Sequence, residues 1–337
     1  MPYICRMKPI FPTVYSTLSP AALVTFISEK YGLDGVECAF FLRGVGDTYM
    51  VASAGKRFVL RVYRPSHRTL PQIQAEVTLL LTLKEAGVSI SYPVADVGGS
   101  AIQALGTAEG TRYAVMFNYA PGKALTILGE EHLNNLGREM AKFHNVSSTI
   151  ILNDSRWSFD FENTLFRPLE MLKPAFAEDA EGYAWMVEAA KFAEQKITSL
   201  GTDSFSKGYC HFDFLPKNFH LDDDGQVTFF DFDFLGYGWL VNDVMTFWQH
   251  LCLDVHFGKV TQEKADESFE IFVEAYRSVR HLSDEELSAM PYLSLGFWLF
   301  YMGFHTTHDQ FYPFVQPAHL KLRVDLVKKL MERYWKR

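Results

Sequence analysis

The segment His211-Phe212-Asp213-Phe214-Leu215-Pro216-Lys217-Asn218, followed by Phe229-Phe230-Asp231-Phe232-Asp233, decides the fold class of this chain. It places a carboxylate and an amide at the two ends of one short loop, and two further carboxylates after a short apolar run. Phosphoryl transfer needs these parts, because one carboxylate must orient a hydroxyl while oxygen ligands hold a metal ion beside the phosphates. The stretch therefore predicts a kinase-like active site.

The spacing also predicts how these side chains meet. Residues 222–225 are typical of a hairpin turn, and residues 227–230 form a short apolar strand after which Asp231 points back at the loop. A hard cation such as Mg²⁺ takes a few protein oxygens and keeps water and phosphate oxygens for its remaining positions. The alternative, an acidic turn beside a buried strand, is disfavoured because carboxylates are rarely buried without a partner.

Together the two segments resemble the catalytic and metal-binding motifs of the aminoglycoside phosphotransferase and choline kinase family, small-molecule kinases built on the protein-kinase fold. The resemblance implies that His211, Asp213 and Asn218 are the catalytic group, with Asp213 as the base. It further implies that Asn218 and Asp231 bind Mg²⁺, with Asp233 as a further metal group.

One further residue agrees with the family pattern, and three positions in the loop differ from it. Asp243 is similar to the downstream aspartate that braces the catalytic loop in this family. The family's commonest loop has a Gly after the first His, a second His two places after the Asp, and a Gly before the Asn. Here those positions hold Phe212, Leu215 and Lys217. The motifs therefore predict a kinase-like phosphotransferase, but because of these departures they do not predict an antibiotic kinase.

The fold implied by the family is α+β and bilobal, like that of the protein kinases. Residues 1–117 would form a nucleotide-binding lobe with a small antiparallel sheet and helices. Residues 118–337 would form a larger, mainly helical lobe for catalysis and substrate binding, with the ligand site in the cleft between the lobes. The length agrees, because 337 residues exceed what one hydrophobic core usually organises.

Three residues in the first lobe are candidates for a loop that covers the phosphates of the nucleotide. Gly44, Gly46 and Asp47 interrupt a hairpin pattern, and glycines let a backbone approach a phosphate closely. A simple β-turn is the alternative interpretation.

Arg61 stands in the middle of an apolar strand pattern, where a cation costs free energy unless it meets an anion. The resemblance places the family's phosphate-binding cation at Arg61, although Lys is the commoner residue there. Glu76, within a predicted helix over residues 72–86, resembles the glutamate that pairs with this cation. A solvated glutamate in the first turn of the helix is the alternative.

The segment after the last predicted strand of the first lobe has the turn chemistry of a hinge. Adenine is planar and can be held by backbone hydrogen bonds in such a segment. By position in the fold, the candidate adenine contacts are Met116, Phe117, Asn118 and Tyr119. Helical patterns predict a helix over residues 20–31 in the first lobe and, beyond the hinge, helices over residues 131–144, 184–197, 241–257, 261–281, 284–305 and 317–334.

Composition limits the partners. Lys and Arg total 32 against 40 Asp and Glu, so the net charge is −8, and no basic run indicates a nucleic-acid partner. The longest apolar stretch, residues 292–304, is shorter than the roughly 20 residues that a membrane span requires. No leader pattern opens the chain, and the four cysteines include no Cys-x-x-Cys, which favours reduced thiols and a cytoplasmic protein. Nothing in the sequence indicates an oligomeric state.

We therefore expect a phosphotransferase dependent on ATP and Mg²⁺ that acts on a hydroxyl of a small, amine-bearing metabolite. Six acidic residues in the predicted second lobe would attract a cationic acceptor, an effect that weakens with salt; they are Asp160, Glu162, Asp266, Glu267, Glu270 and Asp309. Their alternative role is that of solvated helix faces. Two other functions stay open: a bacterial stress-type protein Ser/Thr kinase, and a degenerate kinase that binds nucleotide and serves as an interaction protein.

Overall fold

The computed structural model describes residues 11–152 and 156–335. This part of the chain is mixed α+β, with ten strands and nine α-helices, which confirms the predicted fold class. It separates into two compact units. The N-terminal unit contains the described residues up to Val77 together with Ser91–Tyr119, and the C-terminal unit contains Thr78–Ile90 and the described residues from Ala120 onward.

The N-terminal unit is built on a five-stranded antiparallel sheet in the order β1-β2-β3-β5-β4. Its strands are β1 (Glu37–Arg43), β2 (Asp47–Ser53), β3 (Lys56–Val62), β4 (Ile102–Thr107) and β5 (Gly110–Asn118). Helix α1 (Pro20–Tyr31) coincides with its prediction and buries Leu23 and Ile27 against the sheet. Residues of this core recur at every second position of β2, β3 and β5, and β5 is also buried on its other face, at Val115 and Phe117.

Helix α2 (Leu70–Glu85) contributes to both units, which the sequence does not predict. Its second half and the residues that follow belong to the C-terminal unit. There the backbone carbonyl of Ser89 accepts the N–H of Phe229 at 3.0 Å, and the N–H of Ser89 donates to Glu139 at 2.7 Å. These hydrogen bonds explain why residues 78–90 associate with the second unit, although they precede strand β4.

The C-terminal unit is mainly helical, with two small sheets. The predicted helices are confirmed with small changes in their bounds, as α3 (Glu130–Ser147), α5 (Ala180–Ser199), α6 (Val241–His256), α7 (Gln262–Arg277), α8 (Asp284–Phe304) and α9 (Pro317–Tyr334). The short helix α4 (Arg167–Leu172) is not predicted by the sequence. One sheet has the order β6-β10-β7, and the other pairs β8 with β9. Their strands are β6 (Trp157–Phe159), β7 (Lys207–Cys210), β8 (Phe219–Leu221), β9 (Val227–Phe229) and β10 (Gly236–Trp239).

Helix α8 forms the centre of this unit. With the turn that follows it, the span Asp284–Thr307 is long and apolar enough to cross a membrane by length and composition, but 67% of its most apolar window is buried inside the protein. It packs against α4, α5 and α6, and a capping box between Ser283 and Glu286 fixes its start. This burial is typical of a core helix.

Candidate active site

The predicted catalytic loop lies between β7 and β8, and it brings Asp213 and Asn218 into direct contact. Oδ2 of Asp213 accepts a hydrogen bond from Nδ2 of Asn218 at 2.7 Å. The second hydrogen of the same amide goes to the backbone carbonyl of Asp213, with a 2.8 Å separation. Nζ of Lys217 lies 2.9 Å from Oδ2 of Asp213 and forms an ion pair with it. The loop therefore fixes its carboxylate with its own residues.

The environment of Asp213 makes it easier to protonate than an ordinary carboxyl group. The residue is only 3% exposed, and this burial raises its pKa, an effect that Lys217 and His211 oppose and that Asp231 reinforces. Oδ1 of Asp213 is buried and has no hydrogen-bond partner among the described residues. A buried carboxylate oxygen without a partner is uncommon in folded proteins, and such groups are concentrated at functional sites.

His211 connects the predicted catalytic loop to residues 229–233, the predicted metal-binding segment. Its Nδ1 accepts the N–H of Asp213 at 3.2 Å, and its Nε2 lies 2.9 Å from the carbonyl of Phe230. A carbonyl can only accept, so Nε2 carries the proton. The imidazole is completely buried, with ring centroids 4.5 Å from those of Phe214 and Phe232. Both nitrogens are thus bound to backbone groups, an arrangement suited to positioning the loop.

Asp243, at the start of α6, binds the backbone of the predicted catalytic loop, as expected. Its carboxylate accepts the N–H groups of His211 at 2.9 Å and of Phe212 at 2.7 Å. The same carboxylate lies 3.0 Å from Nε2 of His144, whose Nδ1 is 2.7 Å from the hydroxyl of Tyr276. Burial lowers the pKa of His144, so the ring stays neutral, donates through Nε2 and accepts the tyrosine hydrogen. His144 is therefore structural.

Phe212 adopts a backbone conformation that non-glycine residues seldom take, with φ at 62°. The position corresponds to the glycine of the commonest family loop. Its ring is buried and stacks on Phe159, with centroids 3.7 Å apart and an angle of 11° between the planes. The two N–H groups held by Asp243 and this stacked ring together maintain the strained conformation.

The predicted metal-binding segment turns sharply after β9. Asp231 has φ at 64° and begins a short 3₁₀ turn in which Asp233 is 2% exposed. The guanidinium of Arg156 donates to the backbone carbonyls of Phe232, Asp233 and Leu235 and so fixes this turn. Arg156 belongs to no motif and lies far from the turn in the chain, so the sequence does not predict this contact.

The donor set suits Mg²⁺ that is bound together with phosphate. Both amide hydrogens of Asn218 are given to Asp213, so the amide oxygen is the atom that Asn218 can offer to a cation. Within residues 11–152 and 156–335, no group of three or more His, Cys, Asp or Glu side chains is placed to hold a metal ion.

In the N-terminal unit, the predicted phosphate loop joins β1 to β2. The N–H of Gly44 donates to the carbonyl of Gly46 at 2.9 Å. Gly46 is required sterically, because a Cβ atom there would lie 2.8 Å from the carbonyl oxygen of Val62. The carboxylate of Asp47, by contrast, points into the unit, where it pairs with Nη2 of Arg112 at 3.2 Å and accepts the hydroxyl of Tyr15.

The Asp47 and Arg112 side chains are both completely buried, so each supplies the opposite charge that the other needs away from water. These partners account for the Asp47 carboxylate, and we do not include it among the groups proposed for nucleotide binding.

Arg61 and Glu76 occupy β3 and α2. Arg61 is half-buried, opposite Thr48 and Val115 in the sheet. Glu76 is 1% exposed, so the alternative of a solvated glutamate is wrong. A carboxylate buried to this degree needs a positively charged or hydrogen-bonding partner.

The four candidate adenine contacts differ in position. Met116 is completely buried in the core of the N-terminal unit, and its carbonyl accepts the N–H of Val94 at 2.7 Å. We therefore exclude its side chain from the proposed contacts. Asn118 is bound to Tyr92 through its N–H and its side-chain oxygen. The ring of Tyr119 lies under the guanidinium of Arg57, 3.8 Å from the ring centroid.

Comparison with known proteins shows the family of this chain. A model of a phosphotransferase enzyme family matches residues 37–282. An uncharacterised protein of Deinococcus radiodurans is 32% identical over 297 residues, which cover 87% of this chain and 84% of that protein. A homoserine kinase of Methylobacillus glycogenes is 28% identical over 269 residues, 76% of each chain.

Among solved structures, an amicoumacin kinase in complex with AMP-PNP and Ca²⁺ has a TM-score of 0.69 and 18% identity. The match covers 92% of this chain and 94% of that one, and it shows a shared fold. The resemblance inferred from the two sequence motifs is confirmed.

Proposed function

Since the chain belongs to the phosphotransferase enzyme family, we propose that it transfers the γ-phosphoryl group of ATP, with Mg²⁺, to a hydroxyl of a small, amine-bearing metabolite. The observation that carries this proposal is the state of Asp213: its Oδ2 is fixed by Asn218 and Lys217, while its buried Oδ1 lacks a partner. A general base needs one oxygen held in place and another available to a substrate proton.

In the proposed reaction, Asp213 orients the acceptor hydroxyl and takes its proton as the oxygen bonds to phosphorus. Asn218 holds the carboxylate in position. His211 and Asp243 bind backbone N–H groups of the loop, so we assign both residues positioning roles. Preorganised groups of this kind lower the cost of reaching the transition state, because they need not reorganise during the reaction.

The metal ion, when bound, would neutralise charge that develops on the phosphates. Asn218 through its amide oxygen and Asp231 through its carboxylate are the proposed ligands, and Asp233 is a secondary group. The complex of the structurally similar amicoumacin kinase with AMP-PNP and Ca²⁺ supports the use of a nucleotide and a divalent cation.

The nucleotide is proposed to bind the N-terminal unit. Backbone groups at Gly44 and Gly46 would approach its phosphates, and Arg61, held by Glu76, would pair with them. For adenine, the remaining candidates are Phe117, Asn118 and Tyr119. The likeness to a nucleotide-bound kinase supports this assignment through the fold.

The acceptor class rests on charge. Asp266 and Glu267 lie on the exposed face of α7, where they bind Gln262 and Lys264, and this favours the role of a solvated helix face. The cationic preference therefore depends mainly on the carboxylates of the site itself. The homoserine kinase relative, whose name specifies an amino acid with a hydroxyl group, supports an amine-bearing acceptor.

A cytoplasmic location is part of the proposal. Cys38, Cys210 and Cys252 are free thiols, and burial raises the pKa of each of them. Cys210 and Cys252 are buried and Cys38 is partly buried, and free thiols that stay protonated suit a reducing compartment.

The test is transfer of labelled phosphate from Mg²⁺-ATP to a panel that contains homoserine, 1-amino-2-propanol, glycerol and a casein-like protein. We expect labelling of an amino alcohol, reduced at least roughly 10²-fold by Asp213→Asn. Asp266→Asn, an exposed carboxylate on α7, is the matched control and should leave turnover unchanged. Labelling of the protein alone would support the protein-kinase alternative, and nucleotide binding without any transfer would support a degenerate kinase.

A further inference from the structure

Tyr301, on α8, faces the catalytic loop although it lies far from that loop in the sequence. Its ring packs between Phe234 and Phe297, with centroid distances of 4.9 Å and 4.6 Å. Phe297 in turn contacts Phe212, the residue before Asp213, at 5.7 Å. The ring is therefore held between the metal-binding turn and the catalytic loop.

The hydroxyl of Tyr301 is buried close to the carboxylate of Asp213, yet among the described residues neither this hydroxyl nor Oδ1 of Asp213 makes a hydrogen bond of standard geometry. Burial, and then the charge of Asp213 and the contact with that carboxylate, raise the pKa of Tyr301 well above its usual value. The hydroxyl therefore keeps its proton and remains a donor. A substrate hydroxyl at this site could bond to both groups and complete their hydrogen bonds.

We propose that Tyr301 positions the acceptor hydroxyl by donating a hydrogen bond to its oxygen while that hydroxyl donates its own hydrogen to Oδ1 of Asp213. This inference rests on the proposed kinase function and adds the group that orients the nucleophile. In the reaction, the acceptor oxygen bonds to the γ-phosphorus, the bond from that phosphorus to ADP breaks, and the acceptor proton passes to Asp213. Tyr301 retains its own proton throughout.

The arrangement also determines specificity. A site that hydrogen-bonds a substrate hydroxyl from two sides discriminates strongly against an analogue without that hydroxyl, because both protein groups are then left unpaired. Phe234 and Phe297 fix the phenol ring, so the position of the hydroxyl selects where on the acceptor the phosphate is placed.

The experiment is a double-mutant cycle in which the hydroxyl of Tyr301, the hydroxyl of the acceptor, or both are removed. Tyr301→Phe keeps the packed ring and removes only the oxygen. Affinities are measured for an acceptor that the wild-type enzyme phosphorylates and for its analogue without the hydroxyl. The two pairs are homoserine with 2-aminobutyrate, and 1-amino-2-propanol with propylamine. Tyr31→Phe is the matched control, because Tyr31 lies in the N-terminal unit and its buried hydroxyl also lacks a partner among the described residues.

We expect Tyr301→Phe to lower kcat/KM for the hydroxylated acceptor about tenfold, without changing the affinity of the deoxy analogue or KM for ATP. Tyr31→Phe should change none of these values. Equal kcat/KM in wild type and Tyr301→Phe, or an equal loss of affinity for both ligands of a pair, would overturn this inference alone. A wild-type enzyme that transfers phosphate to no acceptor would overturn the proposed function as well.

Discussion

Nζ of Lys217 lies 2.9 Å from Oδ2 of Asp213, so the candidate catalytic loop supplies a cation to the carboxylate that it buries. Burial raises the pKa of Asp213, and the charge of Lys217 opposes that rise. The lysine side chain itself is 60% exposed, so its replacement disturbs little packing. The pair therefore allows the electrostatics of the base to be changed while the fold is kept.

The first prediction is that Lys217→Met raises the pKa of Asp213 further, because the opposing positive charge is removed. As the proposed base, Asp213 acts in its ionised form, so activity is lost as pH falls through this pKa. A higher pKa moves that loss to higher pH. We expect the acid limb of the kcat/KM profile, measured from about pH 5 to 9, to shift upward in Lys217→Met and to stay in place in Lys217→Arg.

Lys191→Met is the control for the lost charge. Lys191 lies 2.9 Å from Glu188 on the exposed surface of α5, a pair of the same length as Lys217 and Asp213 but on a solvent-exposed helix face. It should leave the profile unchanged. An acid limb that does not move in Lys217→Met would contradict the coupling between Lys217 and Asp213.

The second prediction concerns Mg²⁺. Asparagine tolerates the left-handed backbone at position 231, so Asp231→Asn adds no backbone strain. It removes only the charge of the proposed ligand. We expect the Mg²⁺ dependence of AMP-PNP affinity to weaken sharply in Asp231→Asn and less in Asp233→Asn. Because Asp233 is 2% exposed, its replacement should instead lower the unfolding temperature. Equal losses of metal dependence in the two variants would refute this order.

The third prediction concerns Arg61 and Glu76. If the buried carboxylate of Glu76 positions Arg61 for the phosphates, then Arg61→Ala and Glu76→Ala each weaken ATP use. The double variant should cost less than the sum of the single ones, since each single change already breaks the pair. KM for ATP in the four proteins completes the cycle, with Asp213→Asn as a reference that affects turnover more than ATP binding. Additive effects would mean that the residues act separately.

Local pattern was enough to predict much of this structure. The turn residues and the spacing in the catalytic loop anticipated the contact between Asp213 and Asn218, since both lie in one short segment. The bounds of α1 and α9 coincide with the predicted ranges, because a proline at the start marks each helix and the apolar residues repeat with the helical period.

What escaped prediction depends on pairs that are distant in the sequence. The Asp47 carboxylate pairs with Arg112, 65 residues away, and only the register of β2, β3 and β5 brings them together. Arg156 reaches the turn after Asp231 in the same manner. Tyr301 is one of several aromatic residues that the sequence offers as a wall for a substrate pocket, but the sequence does not show that its hydroxyl lies close to the carboxylate of Asp213.

The last prediction concerns Phe212, whose φ of 62° is strained and whose ring stacks on Phe159. Phe212→Gly loses the ring but relieves the strain, whereas Phe212→Ala loses the ring and keeps the strain. Loss of a buried phenylalanine ring costs about 3–5 kcal/mol, and a left-handed backbone costs alanine about 1 kcal/mol more than glycine. We therefore expect unfolding temperatures in the order wild type, Phe212→Gly, Phe212→Ala, measured by thermal denaturation without ligands. Phe159→Ala removes the same stacking at a position without this backbone strain and should resemble Phe212→Gly. If Phe212→Ala were as stable as Phe212→Gly, the strain at this position would carry no free energy, and the loop would be held by the aromatic contact alone.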